Sequence, residues 1–322
     1  MKAEIRTHFP RAPSETAPFD LRGRGLHTGR DFSIRLEKPR ANALSPIEFF
    51  TQFDGKEFHS PALWTRISGT TRATALVLRG DDKRRLEMKT VEHFLAAAQI
   101  LSVHAGVRVQ PEGAEAESVE LPLLDGSSAQ WFAFLSAHQE KSFLSKSVWV
   151  CVRPVEVTDG LKRVLILPHE QPDDTRSVFH CDVDFGGPWK QDAYYEMDWL
   201  RPEAGRRDFE KNIAPARTFG FVHELEALKA RGLASGASFD NAILLDNERV
   251  HNPGGFQVPS ELAAHKLLDG IGDLALLGGP LLGRVELTQA GHSMHTRALE
   301  EGIRQGAFVK ARLKFSGELL RG

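Results

Sequence analysis

The sequence predicts an α+β protein of two similar domains, each a β-sheet with helices. Three observations carry this prediction. At 322 residues the chain is too long for one ordinary core and suits two. Short β-patterned runs alternate with long apolar helices, one of which lies in each half. The mostly polar stretch Ala137–Ser147 reads as a linker, giving expected domains over residues 1–140 and 147–322.

Asp31–Leu36 and Thr74–Leu78 show the period-two or β-branched pattern of half-buried strands. Thr90 is placed to cap a helix over Val91–Leu101, in which Val91, Phe94, Leu95, Ala98 and Leu101 are apolar. Gly106–Gln110 reads as a strand, Gln110–Ser118 as an acidic turn region, and Leu121–Ser128 closes the half on a Gly-Ser turn. In the second half, strands are expected at Val148–Val157, Arg163–Pro168 and Val178–Phe185. A helix over about Val222–Arg231 should stop at Gly232, before a loop of small residues at Leu233–Phe239 and a short strand at Ala242–Leu245. Ser260 is placed to cap a helix from Glu261 to about Leu277, Gly283–Leu287 is strand-like, and a last helix spans about His292–Arg304. Each half thus holds an apolar helix, a turn and a strand beginning at glycine, which hints at an old duplication.

The apolar fraction of 41% and charged fraction of 26% are those of a globular chain. A net charge of −2 supplies no basic field for nucleic acid. Without an apolar run of about 18 residues, no membrane span is expected. Met1–Pro18 lacks a signal-peptide core, so the expected compartment is the cytoplasm. The two cysteines, Cys151 and Cys181, form no CxxC and argue against a cysteine-held zinc. Thirteen histidines, many for this length, direct attention to a metal held otherwise.

The strongest local signal is His265-Lys266-Leu267-Leu268-Asp269. On a helix, positions i and i+4 share a face, so His265 and Asp269 project together, and Asp273 stands a further turn along. By itself HxxxD is more often a solvated stripe than a ligand pair. Against that, the flanking residues are apolar nearly all round, and Gly270 and Gly272 interrupt the helix as if another backbone or a ligand passed close by. His93 and Glu92 open the first long helix, pointing about 100° apart, so His93 can reach a metal while Glu92 faces its water. Two imidazoles and one carboxylate leave zinc an open position, as catalytic sites require, with Glu92 as general base. Ferrous iron can use the same ligands. His292 could protonate a leaving amine with Asp273 fixing its ring, although taken singly it reads as a histidine at a helix end. His27 suits either a loop near the cleft or a histidine fixing a turn. His180-Cys181-Asp182 is set aside, since strand alternation sends Cys181 to the opposite face from its neighbours.

Together these motifs resemble the UDP-3-O-acyl-N-acetylglucosamine deacetylases, the zinc enzymes that commit sugar nucleotides to lipid A. The matching blocks are GRGLHTGR (23–30), TVEHFLAA (90–97), LPLLDGSS (121–128), ARTFGF (216–221), GLASGASFDNAILLD (232–246), HKLLDGIGDLALLG (265–278) and GH (291–292). The resemblance implies zinc on His93, His265 and Asp269, Glu92 as base, and His292 as acid or electrostatic partner supported by Asp273. It further implies an oxyanion contact from Thr218, a substrate contact from Lys266, and an acyl-chain passage formed by an insert over Phe219–His251, with Phe219 at the substrate. The implied fold packs the helices between two sheets. The implied substrate is a UDP-sugar bearing a 3-O-acyl chain, handled by a monomer. The chain departs from the family around Arg79–Arg85, at SVHAG (102–106), at Thr74, where relatives often carry cysteine nearby, and at SMHTR (293–297), where an asparagine pair is common. Two alternatives stay open from the sequence: a related amidohydrolase acting on another acylated amino sugar, and a catalytically silent homologue that binds such a ligand.

Overall fold

A computed structural model describes residues 21–40, 43–113, 118–138, 145–230, 234–314 and 319–321. The first sheet takes its strands from the first half of the chain. They are β1 (Leu21–Arg24), β2 (Asp31–Glu37), β3 (Ile47–Phe53), β4 (Lys56–Pro61), β5 (Ile67–Gly69), β6 (Ala75–Gly80), β7 (Arg85–Lys89), β8 (Ala105–Pro111) and β9 (Ser118–Glu120). Their order is β1-β2-β8-β3-β4-β6-β7-β9, with β5 on β6. The second sheet begins with β10 (Ser145–Cys151), β11 (Val155–Asp159), β12 (Lys162–Leu167), β13 (Arg176–Asp184) and β14 (Lys190–Asp198). A separate parallel pair, β15 (Phe219–Phe221) and β16 (Ile243–Leu245), lies between these and the last strands, β17 (Leu281–Thr288), β18 (Phe308–Lys314) and β19 (Leu319–Arg321).

The helices are α1 (Glu92–Leu101), α2 (Ala129–His138), α3 (Pro202–Asp208), α4 (Leu225–Ala230), α5 (Glu261–Leu274) and α6 (His292–Arg304). The two halves share a local plan. Helix α1 leads into β8, which lies antiparallel to β2 and parallel to β3. Helix α5 leads into β17, which lies antiparallel to β12 and parallel to β10. That repeated arrangement is the structural counterpart of the duplication hinted at by the sequence.

Helices α1 and α5 form the middle layer. Both are buried nearly all round, which their apolar sequences require. Phe94 of α1 meets Phe49 of the first sheet edge-on at 5.9 Å. Helix α5 packs on β13 and β14 on one side and on α1 on the other. One continuous apolar core runs through both layers. The crossing of α1 and α5 depends on Gly272: a Cβ there would lie 2.0 Å from the Glu92 carbonyl oxygen. Gly272 therefore serves a close backbone approach, one of the two reasons the glycines of this helix suggest, whereas a Cβ on Gly270 would meet the Leu287 side chain at 2.5 Å.

Several local expectations change. Thr90 does not cap α1 but sits at φ 58° and turns its hydroxyl to Glu120, leaving Val91 at the helix entry. Ser260 is left-handed at φ 50° and makes no side-chain cap bond; Glu261 fixes the entry instead, accepting from Gln257 N–H and pairing with Arg217 at 2.8 Å. The expected helix to Leu277 changes to a tighter 3-10 turn at Ala275–Leu277 and ends on Gly278 at φ 81°. The long strand expected at Val148–Val157 breaks between Cys151 and Val155, at Val152-Arg153-Pro154, because proline cannot donate to the ladder. The helix expected at Val222–Arg231 begins with a 3-10 turn at Val222–Glu224 before α4, and Gly232 lies outside the described residues, as does most of the expected linker. Helix α2, helix α3 and strand β14 are additional elements.

Candidate active site

The first turn of α1 and one face of α5 meet at a cavity of about 550 Å³. His93 comes from α1, and His265 and Asp269 stand one turn apart on α5, all at most 4% exposed. The Nε2 atoms of His93 and His265 each lie 3.5 Å from Asp269 Oδ1. Their donor atoms all fall within 4.8 Å of one another. His265 donates Nδ1–H to the Ala216 carbonyl at 3.0 Å, which leaves the Nε2 lone pair facing this point. Burial pushes the His265 imidazole down to about 3, so it is neutral, as a metal ligand must be.

Asp269 distinguishes its two oxygens. Oδ2 accepts Lys266 Nζ at 2.7 Å, whereas Oδ1, buried, has no hydrogen-bond partner among the described residues. Burial opposes the charge on Asp269, but Lys266, His265 and His292 outweigh it and hold the carboxyl well below its usual range. A buried, ionised oxygen without a hydrogen-bond partner, 3.5 Å from two imidazole nitrogens, is costly unless a cation joins them. The three residues therefore fit a divalent ion of the borderline kind that accepts nitrogen and oxygen together.

Glu92 lines the same cavity and is 2% exposed. Its Oε2 accepts the Thr74 N–H at 3.0 Å. Burial raises its carboxyl, against the opposing influence of His292 and His93. His292, at the start of α6, places Nδ1 2.8 Å from Asp273 Oδ2 and Nε2 3.9 Å from Asp269 Oδ2. Burial disfavours its charge, but Asp273, Asp269 and Glu92 raise the imidazole to about 9. Asp273 also accepts Thr74 Oγ1–H at 2.5 Å on Oδ1 and the His295 Nδ1–H at 2.7 Å on Oδ2.

Thr218 and Phe219 follow the buried Arg217 and enter the cavity wall, with Phe219 6.0 Å from the His265 ring and its face 5.5 Å from Lys266 Nζ. Phe185 meets Phe219 and Phe221 edge-on at 5.3 and 5.6 Å, giving the cavity an apolar side. All nine residues singled out by sequence thus gather at one place: eight line the cavity, and Asp273 stands behind His292. His27 borders this region, but its ring does not fix the turn. The buried Glu120 carboxylate does so, accepting the backbone N–H of His27 and Thr28 and the hydroxyls of Thr28 and Thr90. Cys181 is buried, and its neighbours His180 and Asp182 are half-buried on the other face of β13. A larger, shallower depression of about 960 Å³ elsewhere is lined by Arg30, Arg79, Arg85 and Glu87 and contains none of these groups.

Sequence reasoning missed the parts of His295 and Glu120, and the ion pair of Arg72 with Glu224 at 2.7 Å, which links the two halves at the cavity wall. His295 carried a usable signal, standing three residues after His292 on one helix face. Glu120 carried none, because its partners lie far away in the sequence.

The chain is similar to known proteins over most of its length. A model of the UDP-3-O-acyl N-acetylglycosamine deacetylase family matches residues 16–303. A UDP-3-O-acyl-N-acetylglucosamine deacetylase of Syntrophotalea carbinolica is 33% identical over 285 residues, covering 88% of this chain and 85% of that protein. Proteins of the same name from Anaeromyxobacter dehalogenans and Myxococcus xanthus are 36% and 32% identical, over 85% and 87% of this chain and 81% and 82% of theirs. With a family match across most of its length and the buried His-His-Asp cluster within it, the chain belongs to the UDP-3-O-acyl N-acetylglycosamine deacetylase family.

Proposed function

We propose that this protein hydrolyses the acetamide of a UDP-3-O-acyl-N-acetylglucosamine, releasing acetate and the free amine, a committed step toward lipid A. The observation that carries the reading is the unpaired Asp269 Oδ1, facing the Nε2 atoms of His93 and His265 with the Glu92 carboxylate in the same cavity. Family membership supports the substrate class.

His93, His265 and Asp269 would hold the ion, for which zinc is the first choice and ferrous iron the second. When bound, such an ion polarises the amide carbonyl and lowers the pKa of water toward about 7. Glu92 takes the proton of the attacking water. Its Oε2 is occupied by the Thr74 N–H, which leaves Oε1 for that proton, and a carboxyl raised by burial accepts it more readily. As the water oxygen bonds to the acyl carbon, the Thr218 hydroxyl, on the cavity wall, stabilises the developing oxyanion. The C–N bond then breaks, and the amine leaves with the proton of His292 Nε2. That proton is on the correct nitrogen because Nδ1 is held by Asp273. Lys266 offsets the Asp269 charge and faces the substrate beside Phe219, and the Phe185, Phe219 and Phe221 side of the cavity suits the acyl chain. The reading places the protein in the cytoplasm as a monomer. Among the described residues, no helix is long and apolar enough to cross a membrane.

The test is acetate release from UDP-3-O-acyl-N-acetylglucosamine, before and after the metal is stripped and zinc restored. Release that follows the metal is expected. Protein shown to carry one bound ion, yet releasing no acetate, would overturn the proposal.

A further inference from the structure

Asp273 is 1% exposed and receives three donors. Its Oδ1 takes the Thr74 hydroxyl, whereas its Oδ2 takes two imidazole N–H groups, from His292 at 2.8 Å and His295 at 2.7 Å. A carboxylate only accepts, so both rings carry a proton on Nδ1. The two histidines stand three residues apart on α6 and reach the same oxygen with rings nearly perpendicular, at 87°. The second ring packs beside α5 at Gly270, where even an added Cβ would stand at ordinary contact distance, 3.8 Å, from the His295 Cε1 and Nε2 atoms.

The His295 ring is fully buried, and its Nε2 has no hydrogen-bond partner among the described residues. An unpaired buried nitrogen is a cost that leucine or methionine would avoid while filling the same space. What the imidazole contributes in return is one directed N–H. That bond prevents the Asp273 carboxylate from rotating away from His292, since Oδ2 is held from two directions and Oδ1 from a third.

Resting on the deacetylase reading, we propose that His295 is a positioning residue for the reaction: it locks Asp273 so that His292 keeps its proton on Nδ1 and its Nε2 toward the cleft. Its contribution therefore passes through His292. Removing His295 slows the chemical step without weakening substrate binding, and matters only while His292 is present.

The test compares His295→Asn, which keeps a donor, with His295→Leu, which keeps bulk alone, each also combined with His292→Ala in metal-loaded protein. In His295→Leu, kcat should fall about ten- to a hundredfold with KM and bound metal unchanged. His295→Asn should recover most of that loss, and in the His292→Ala background neither change should cost anything further. An unaffected kcat in His295→Leu, or an equal further loss with His292 absent, would overturn the proposal. A second measurement holds even where His295→Leu fails to fold. In wild-type protein with 15N-labelled histidine, the assigned Nδ1–H signals of His292 and His295 should both be strongly hydrogen-bonded, beside those of His59 and His265, and the His295 signal should vanish in His295→Asn. Absence of either the His292 or the His295 signal in the wild type refutes the clamp. If the wild type releases no acetate, the functional reading fails, while the two signals still decide the geometry.

Discussion

Glu92 and Asp269 each have one oxygen committed to a hydrogen bond and one without a partner among the described residues. Glu92 gives Oε2 to a backbone N–H and keeps Oε1, and Asp269 gives Oδ2 to Lys266 and keeps Oδ1. This division separates the two roles, since the free oxygen of Asp269 faces imidazoles whereas Glu92 sits at the cavity wall. Glu92→Gln keeps the bond to Thr74 through the amide oxygen but cannot take a proton. Its kcat should fall by about 10²- to 10⁴-fold with metal content unchanged, read by acetate release and metal analysis of the same sample. Retention of more than half the activity would remove Glu92 from the mechanism. Much of this site was legible in the sequence because helical spacing is short-range. His265, Asp269 and Asp273 follow from one period, and Glu92 and His93 are adjacent. The mutual placement of His93 and His265 was not legible from spacing at all and came only from resemblance.

At the scale of elements, periodicity located α1, α5 and α6 well because their apolar residues recur at helical spacing. It missed α2, whose Trp131, Phe132, Phe134 and Leu135 cluster within five positions and blur any stripe, although Ser127 was available to accept the Ala129 N–H at its start. The hairpin of β3 and β4 was also overlooked, despite an Asp54-Gly55 turn with both residues at positive φ. Thr90 and Ser260 have the side chains of helix caps but do not cap, because each backbone is left-handed and the helix entry is fixed from elsewhere. The glycines of α5 allow a sharper expectation. Gly272→Ala would set a methyl against the Glu92 carbonyl, a contact that no side-chain rotation relieves. Overpacking of this kind costs about 1–3 kcal/mol, more than the roughly 1 kcal/mol that alanine regains in helix propensity. The variant should melt lower than wild type and lose activity, because the displaced backbone belongs to the proposed base. An equal or higher melting temperature would show that the two helices can part without strain.

For the whole molecule, the proposed ion joins α1 of the first half to α5 of the second, as the Arg72–Glu224 pair does at the cavity wall. The ion pair is partly exposed and adds little to stability, about 0–1 kcal/mol. The proposed ion would add far more: a ligand bound only by the folded state stabilises it by about 4 kcal/mol when present a thousandfold above its Kd. Stripping the metal should therefore lower the melting temperature by several degrees and leave the far-ultraviolet spectrum of the folded protein unchanged. Identical melting of stripped and restored protein would mean that the cluster holds no ion of consequence. His93 and His265 are roughly 170 residues apart in the chain, so the proposed ion would act as a reversible cross-link across a very long loop. Neither half can supply the full ligand set, so a folding intermediate with undocked halves would lose its metal to a chelator that the finished protein resists. Resistance to chelation would thus become a measure of assembly, with the proposed ion secured only when the molecule is complete.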